Sequence, residues 1–352
     1  MLKFSFFNGI MLIGSDYMEE LIKECNLGKK IKSIDKVIGG LSHRMYKVVT
    51  DRGTYAIKEL NSGVMKSKTA YSNFLFAEKF TDLVKANGIP AIGAIKINDD
   101  IMKKFGNNYY MIFEWIDGKI LKAEEIEEKH SEIVGKLLAE IHNVNFSSID
   151  NENRKHVNTR IYNWNDYVSI ASEQNKAYFQ LYKDNIDVLY DLNKKSVEAI
   201  EHAKNNLVIS HRDLDRKNII WQDNKPYIID WEASGYINPT LELIQVAWYW
   251  SGGDTESVDY NKFEKVVKSY KENYKGNIDS NINVLMYADI YSGLEWINYN
   301  LKRSLCIGHN YDDEEIHLAE NEVVQSLNEI KYNVSQFDEM TKILKKYCND
   351  EL

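Results

Sequence analysis

The first third of the chain reads mostly as short β-strands. Residues 15–30 carry a helical pattern, with Met18, Leu21, Ile22 and Cys25 recurring at three and four. Ile34–Ile38 then reads as a strand, broken by Gly39-Gly40-Leu41-Ser42-His43 and resumed over Met45–Val49, with Tyr46 and Val48 on one face. After a turn at Asp51-Arg52-Gly53, Thr54–Leu60 is a third strand. Residues 70–86 predict an amphipathic helix through Phe74, Phe76, Phe80, Leu83 and Val84, stopped by Asn87-Gly88 with Pro90 soon after. Ile92–Ile97 and Asn108–Phe113 predict two more strands on either side of Asn98-Asp99-Asp100. The pattern breaks at Glu114-Trp115-Ile116-Asp117-Gly118, which reads as a hinge.

From Ala123 onward the period is mostly helical. Ile133, Val134, Leu137, Leu138 and Ile141 form one apolar stripe ending in His142, which reads as a buried structural histidine rather than a ligand. Residues 143–165 read as a long polar loop, and 166–205 as weaker, tyrosine-rich helices. Further helices are expected near 240–251, 261–273, 282–304 and 312–332. Asp312-Asp313-Glu314-Glu315 opens the last of these, where carboxylates complement the helix dipole without any metal.

One stretch interrupts the helices and organises the rest. Leu207-Val208-Ile209 leads into His211-Arg212-Asp213, and Asn218 follows Asp213 after five positions. Two β-prone runs, Ile219–Trp221 and Tyr227–Ile229, flank a turn at Gln222–Pro226. Such a hairpin brings Asp230 back beside Asn218. Phosphoryl transfer needs one carboxylate to orient the attacking hydroxyl, and a carboxylate with an amide oxygen to hold magnesium against phosphates. Asp213 fits the first role; Asn218 and Asp230 fit the second. The spacing matches the catalytic loop of kinases.

A nucleotide site can be sought upstream. Paired glycines at Gly39 and Gly40, with Ser42, would let backbone N–H groups approach phosphates. Ala56 and Lys58 share one face of the third strand, where a small residue admits an adenine ring and a lysine reaches phosphates. Glu78 lies near the core side of the 70–86 helix and needs a cation, for which Lys58 is the obvious partner. Backbone groups at the 114–118 break would be free to bind a purine edge.

With 352 residues, 44% of them apolar, the chain can form one large domain or two lobes. A net charge of −9 argues against nucleic acid as a partner and is compatible with a cationic substrate. Cys25, Cys306 and Cys348 are odd in number and lack metal spacing, which points to a reducing, cytoplasmic compartment. Met1–Gly14 is apolar but short and without a cleavage pattern, so it reads as part of the fold or a loose extension rather than a signal peptide. No stretch reaches the length of a membrane span.

Taken together, Gly39-Gly40-Leu41-Ser42, Lys58, Glu78, His211-x-Asp213-x4-Asn218 and Asp230 resemble the aminoglycoside phosphotransferase and choline kinase superfamily. Asp230-Trp231-Glu232 stands where protein kinases carry Asp-Phe-Gly, and no Ala-Pro-Glu segment follows. The resemblance implies an α+β, two-lobed, protein-kinase-like fold: an N-terminal lobe over 1–113, a hinge at 114–118, and a helical lobe over 119–352. It implies a magnesium-dependent enzyme that uses ATP or GTP to phosphorylate a hydroxyl of a small molecule, working as a monomer or dimer. Lys58 would hold the α- and β-phosphates with Glu78 paired to it, and Glu114 to Ile116 would bind adenine. Asp213 would be the base, and Asn218 and Asp230 the magnesium ligands.

The chain departs from the family's usual pattern at Arg212, Asp215 and Glu242. For the acceptor, the 283–305 helix steps through Asp289, Ser292, Glu295, Trp296, Tyr299 and Arg303, an acidic and aromatic face suited to a cation. The same aromatics at helical spacing also fit a core stripe. Glu232, Glu295 and Trp296 are the acceptor-binding candidates. A choline- or ethanolamine-type or other small-metabolite kinase is the alternative, and a catalytically silent kinase-fold binder of the spore-coat type is the alternative of another class.

Overall fold

The computed structural model describes residues 17–37, 43–149, 158–255 and 257–348. The chain divides into two compact units. The first runs through Ile120 and also takes in Asn218–Ser234; the second holds Leu121–Lys217 and Gly235–Leu352. The division falls just past the 114–118 break, and the hairpin segment groups with the β-rich unit.

In the first unit, β1 (Ile31–Val37), β2 (Arg44–Thr50), β3 (Thr54–Glu59), β4 (Lys103–Phe105) and β5 (Asn108–Glu114) form an antiparallel sheet in the order β1-β2-β3-β5-β4. Register sets Ile57 opposite Ile112 and Lys58 opposite Met111. Alternation therefore gives the sheet two different faces. Ile57 and Ile112 join Val48 and Tyr110 in a core closed by Met18, Leu21 and Ile22 of the helical residues 17–24, here α1. Met111, on the opposite face, packs with Phe74 of α2 (Ala70–Ala86).

The expected strand Ile92–Ile97 does not form. Its backbone is drawn off to separate partners, Ile92 N–H to Ile228 and Ile95 N–H to Ile112, so no continuous ladder develops. The strand next to β5 is instead the short β4, joined to it through Gly106-Asn107 with Gly106 at φ 57°.

A second, three-stranded sheet in this unit orders β6 (Lys119–Ile120), β8 (Ile219–Gln222) and β9 (Lys225–Ile228) as β6-β8-β9. β8 and β9 form the expected hairpin, with a tighter turn. Gln222 pairs with Lys225, and Asp223 and Asn224 both have positive φ, as a two-residue type I′ turn requires. Gly118 lets the chain pass against this hairpin, because a Cβ there would lie 2.5 Å from the Trp221 carbonyl oxygen.

The second unit is mainly helical. Its longer helices are α3 (Glu128–His142), α4 (Ile186–Ala203), α5 (Pro239–Trp250), α6 (Tyr260–Asn273), α7 (Ile290–Ser304), α8 (Asp313–Ser335) and α9 (Phe337–Cys348). Between α4 and α5, β7 (Val208–Ser210) pairs antiparallel with β10 (Gly235–Ile237). Gly135 of α3 lies so close to α6 that a Cβ would meet the Val266 carbonyl oxygen at 2.3 Å. The tyrosine-rich 166–205 region is core: Tyr178 and Tyr182 pack with Trp164, Leu294 and Leu327, and the Tyr178 hydroxyl is 2.7 Å from Ser304 Oγ. Asp312 caps α8 through its carboxylate, which accepts the Glu315 N–H. The helix expected over 282–304 is two pieces, Ile282–Leu285 and α7. The terminal α9 was absent from the sequence-based expectation.

Candidate active site

In the β-rich unit, alternation along β3 sends Ala56 and Lys58 to the same face. Both line a cavity of about 340 Å³, together with Phe113, Trp115, Ile220 and Asp230. Glu114 and Ile116 also border it. Regular pairing in β5 ends at Glu114, opposite Tyr55, and the Trp115 N–H reaches the Thr54 carbonyl at 3.1 Å. Gly39, Gly40 and Ser42 lie outside the described residues.

Asp230 arrives at this cavity through the hairpin. The Ile229 N–H donates to the Asn218 carbonyl at 2.9 Å, closing the return of the chain as the sequence pattern requires. Asp230 itself is left-handed, at φ 61° and ψ 57°, a conformation that costs a non-glycine residue about 1–3 kcal/mol. It persists here because the next residue, Trp231, is buried against Phe80 of α2 and donates its indole N–H to the Ile228 carbonyl.

Lys58 and Glu78 are not paired as expected. The Lys58 ammonium is held by Asp230 at 2.7 Å and Glu232 at 2.6 Å. Glu78 accepts the Ala94 N–H at 2.8 Å instead. Helix periodicity puts Glu78 inside but does not choose its partner, and a backbone N–H is the donor within reach. Burial pushes the Glu78 carboxyl up to about 7, opposed by the Ala94 N–H. Burial of Lys58 would favour its neutral form, but Asp230 and Glu232 more than offset this and raise its pKa. Burial likewise works against the Glu232 carboxylate, yet His43 and Lys58 pull it down to about 2. Glu232, expected at the acceptor, is thus a counter-ion of Lys58.

In the helical unit, the loop that follows β7 is built on buried polar contacts. His211 is fully buried, and its Nδ1 accepts the Asp213 N–H at 3.2 Å. Arg212 has φ 65°. Its N–H donates to Glu242 at 2.7 Å, and the other Glu242 oxygen lies 2.8 Å from His142 Nε2. Nδ1 of that histidine is 2.7 Å from the Tyr270 hydroxyl, so His142 is a buried structural residue. Asp213 is half-exposed, with Lys217 at 3.3 Å. Arg216 clamps Asp254 through two bonds of 2.7 and 2.6 Å.

Downstream of the loop, a cavity of about 250 Å³ is lined by Trp248, Tyr249, Asp289, Trp296, Glu329 and Tyr332. Asp289 accepts the Gln245 amide at 2.7 Å, and its burial raises its pKa against that bond. Trp296 is not core: it is exposed, stacks on Tyr299 at 5.4 Å and donates to Glu322. Glu295 accepts from the Tyr162 hydroxyl at 3.1 Å. His43, Lys217 and Asp289 were not among the sequence-based site candidates. Only Asp289 carried a signal, its place on the acidic helix face.

Residues 33–266, more than half of the chain, match the phosphotransferase enzyme family, and the chain belongs to it. The fold is protein-kinase-like. Spectinomycin phosphotransferase APH(9)-Ia, solved with ADP and spectinomycin, superposes with a TM-score of 0.66 at 16% identity, over 93% of this chain and 98% of that one. Choline kinase from Cryptosporidium parvum gives 0.57 at 15% identity, over 95% and 99%. Amicoumacin kinase, solved with AMP-PNP, Ca2+ and Ami, gives 0.56 at 11%, over 91% and 95%. No curated protein sequence matches the chain.

Proposed function

We propose that this phosphotransferase-family protein moves the γ-phosphoryl group of ATP, or GTP, to a hydroxyl of a cationic small molecule in the cytoplasm. The observation that carries the reading is the buried Lys58 ammonium at the wall of the 340 Å³ cavity, beside the Asp230 that the hairpin returns to Asn218. Lys58 holds the α- and β-phosphates. Ala56 and Phe113 flank the base, and Glu114 and Ile116 offer their backbone to its edge. Asp213 aims the acceptor hydroxyl and takes its proton, and Lys217 beside it offsets charge.

The donors suit magnesium. Asp230 and Glu232 supply hard carboxylate oxygens that converge on one ammonium, and Asn218, whose backbone carbonyl accepts the Ile229 N–H, would add an amide oxygen. Among the described residues, no group of three or more His, Cys, Asp or Glu could hold a metal alone. Magnesium would supply charge neutralisation at the phosphates.

Support for a cationic acceptor comes from the aromatic and acidic cavity around Asp289, Trp296 and Glu329. Asp254 there is already taken by Arg216. Asp289 has an uncharged amide as its bonded neighbour, so an ammonium group would relieve its desolvation. Among the described residues no helix is long and apolar enough to cross a membrane, and Cys25, Cys306 and Cys348 are free thiols. The deciding experiment is coupled ADP release across aminoglycosides, choline, ethanolamine, macrolides and sugars, with Asp213→Asn as control. ADP release that follows one cationic acceptor supports the reading. Nucleotide binding with no turnover on any acceptor sinks it in favour of a silent binder.

A further inference from the structure

His43, immediately before β2, has an imidazole with no part in the chemistry above. Its side chain is only 6% exposed, and its ring stands beside Phe74. Nδ1 accepts the Asn61 N–H at 2.9 Å. A ring nitrogen that accepts a hydrogen bond carries no proton, so the proton of the neutral ring is on Nε2. Nε2 lies 3.3 Å from Oε2 of Glu232. That same oxygen receives Lys58 at 2.6 Å. One carboxylate oxygen is thus gripped from two sides, by an ammonium and by a ring whose tautomer a backbone N–H selects.

Glu232 itself sits in the short 3-10 turn Trp231–Ala233. Without the ring it has one anchor, and it can follow or abandon Lys58 as solvent dictates. We infer that His43 is a positioning residue for nucleotide binding: it fixes Glu232 against Lys58, and so keeps the lysine and Asp230 where a magnesium–nucleotide meets them. The inference rests on the phosphotransferase reading. A merely structural histidine would change stability without acting through Glu232.

The test is calorimetric titration of the full chain with magnesium and AMP-PNP. His43→Asn keeps an acceptor for the Asn61 N–H but offers Glu232 no donor, whereas His43→Gln places an amide N–H near the Nε2 position. His43→Asn is expected to weaken binding about tenfold, the scale of one charge-assisted hydrogen bond, and His43→Gln to recover most of it. In a Glu232→Gln background, His43→Asn is expected to add almost nothing. Asn61 sits at φ −62°, which proline can adopt, so Asn61→Pro removes the orienting N–H, along with the side-chain cap on Gly63, without a substitution at the ring. It is expected to weaken binding in the same way, and it stands in for His43→Asn if thermal melts show that variant unfolded. Unchanged affinity in the folded variant, or losses that multiply with Glu232→Gln, would overturn the inference alone. Failure of the unmutated protein to bind the nucleotide would overturn the phosphotransferase reading, and this inference with it.

Discussion

Glu242 accepts the backbone N–H of Arg212 at 2.7 Å, and Arg212 is held at φ 65° in the loop after β7. The left-handed residue precedes Asp213, so the buried carboxylate fixes the backbone from which Asp213 projects. Its other oxygen meets His142, and the group is only 1% exposed. The glutamate side chain spans both partners.

Removing that carboxylate strands the buried His142 ring and leaves the Arg212 N–H without its partner. Glu242→Ala is expected to destabilise the fold by about 3–5 kcal/mol in urea titrations. Burial works against the Glu242 carboxylate, but His142 and the Arg212 N–H bring its pKa below the ordinary 4.5. A depressed carboxyl stabilises above the ordinary value and loses that contribution as pH falls from 4.5 through the lowered one. The stability gap between the natural protein and Glu242→Gln should therefore be full at neutral pH and shrink in acid. A gap that grows on acidification would refute this.

Asp213→Asn keeps the size and removes the carboxylate proposed to act as base. Turnover should fall about 10²-fold or more, with magnesium–nucleotide affinity nearly unchanged. Near-normal turnover would mean the hydroxyl is aimed by another group.

Lys58 pairs with Glu232 and Asp230 rather than Glu78. In double-mutant cycles on stability, Lys58→Met and Glu232→Gln should show a coupling of about 0.5–3 kcal/mol, and Lys58→Met and Glu78→Gln close to none. The opposite ordering would restore the pairing that helix periodicity suggests.

Glu78 carries a penalty that depends on pH. Its folded pKa, raised by burial to about 7 from 4.5, means that the folded state holds its proton more tightly than the unfolded one. Its ionisation therefore erodes stability as pH rises from 4.5 to 7, by about 3 kcal/mol at most. Glu78→Gln can still accept the Ala94 N–H and should gain stability over the natural protein more at pH 8 than at pH 5. Equal gains at both values would show that Glu78 titrates normally.

Asp289→Asn should raise the KM of a cationic acceptor about tenfold while the nucleotide KM holds, whereas Glu295→Gln should do little. A response at Glu295 and none at Asp289 would move the acceptor off the Trp296 cavity.

Much of this was legible in the sequence because the pattern and the geometry share a period. The alternation of Thr54–Leu60 is that of β3, and the His-x-Asp-x4-Asn spacing with its hairpin returns the chain from Asn218 to Asp230. The misses have physical causes. Ile92–Ile97 has strand composition, but its N–H groups serve two different partners. β4 is three residues long, too short for alternation to register. Trp296 and Tyr299 occupy core-like helical spacing, yet only the helices around them decide which face is covered. His43 gives no local signal at all, because its meaning comes from Asn61 and from Glu232, far along the chain.

The unit that carries Lys58 is discontinuous in sequence: it closes only when Asn218–Ser234 joins the first 120 residues. During synthesis the lysine strand leaves the ribosome long before its two counter-ions exist. Until then, burying Lys58 would desolvate an ammonium with neither carboxylate to receive it. A nascent chain cut before residue 230 should thus expose this sheet face to chaperones, and the competence to bind nucleotide should arrive abruptly, late in translation.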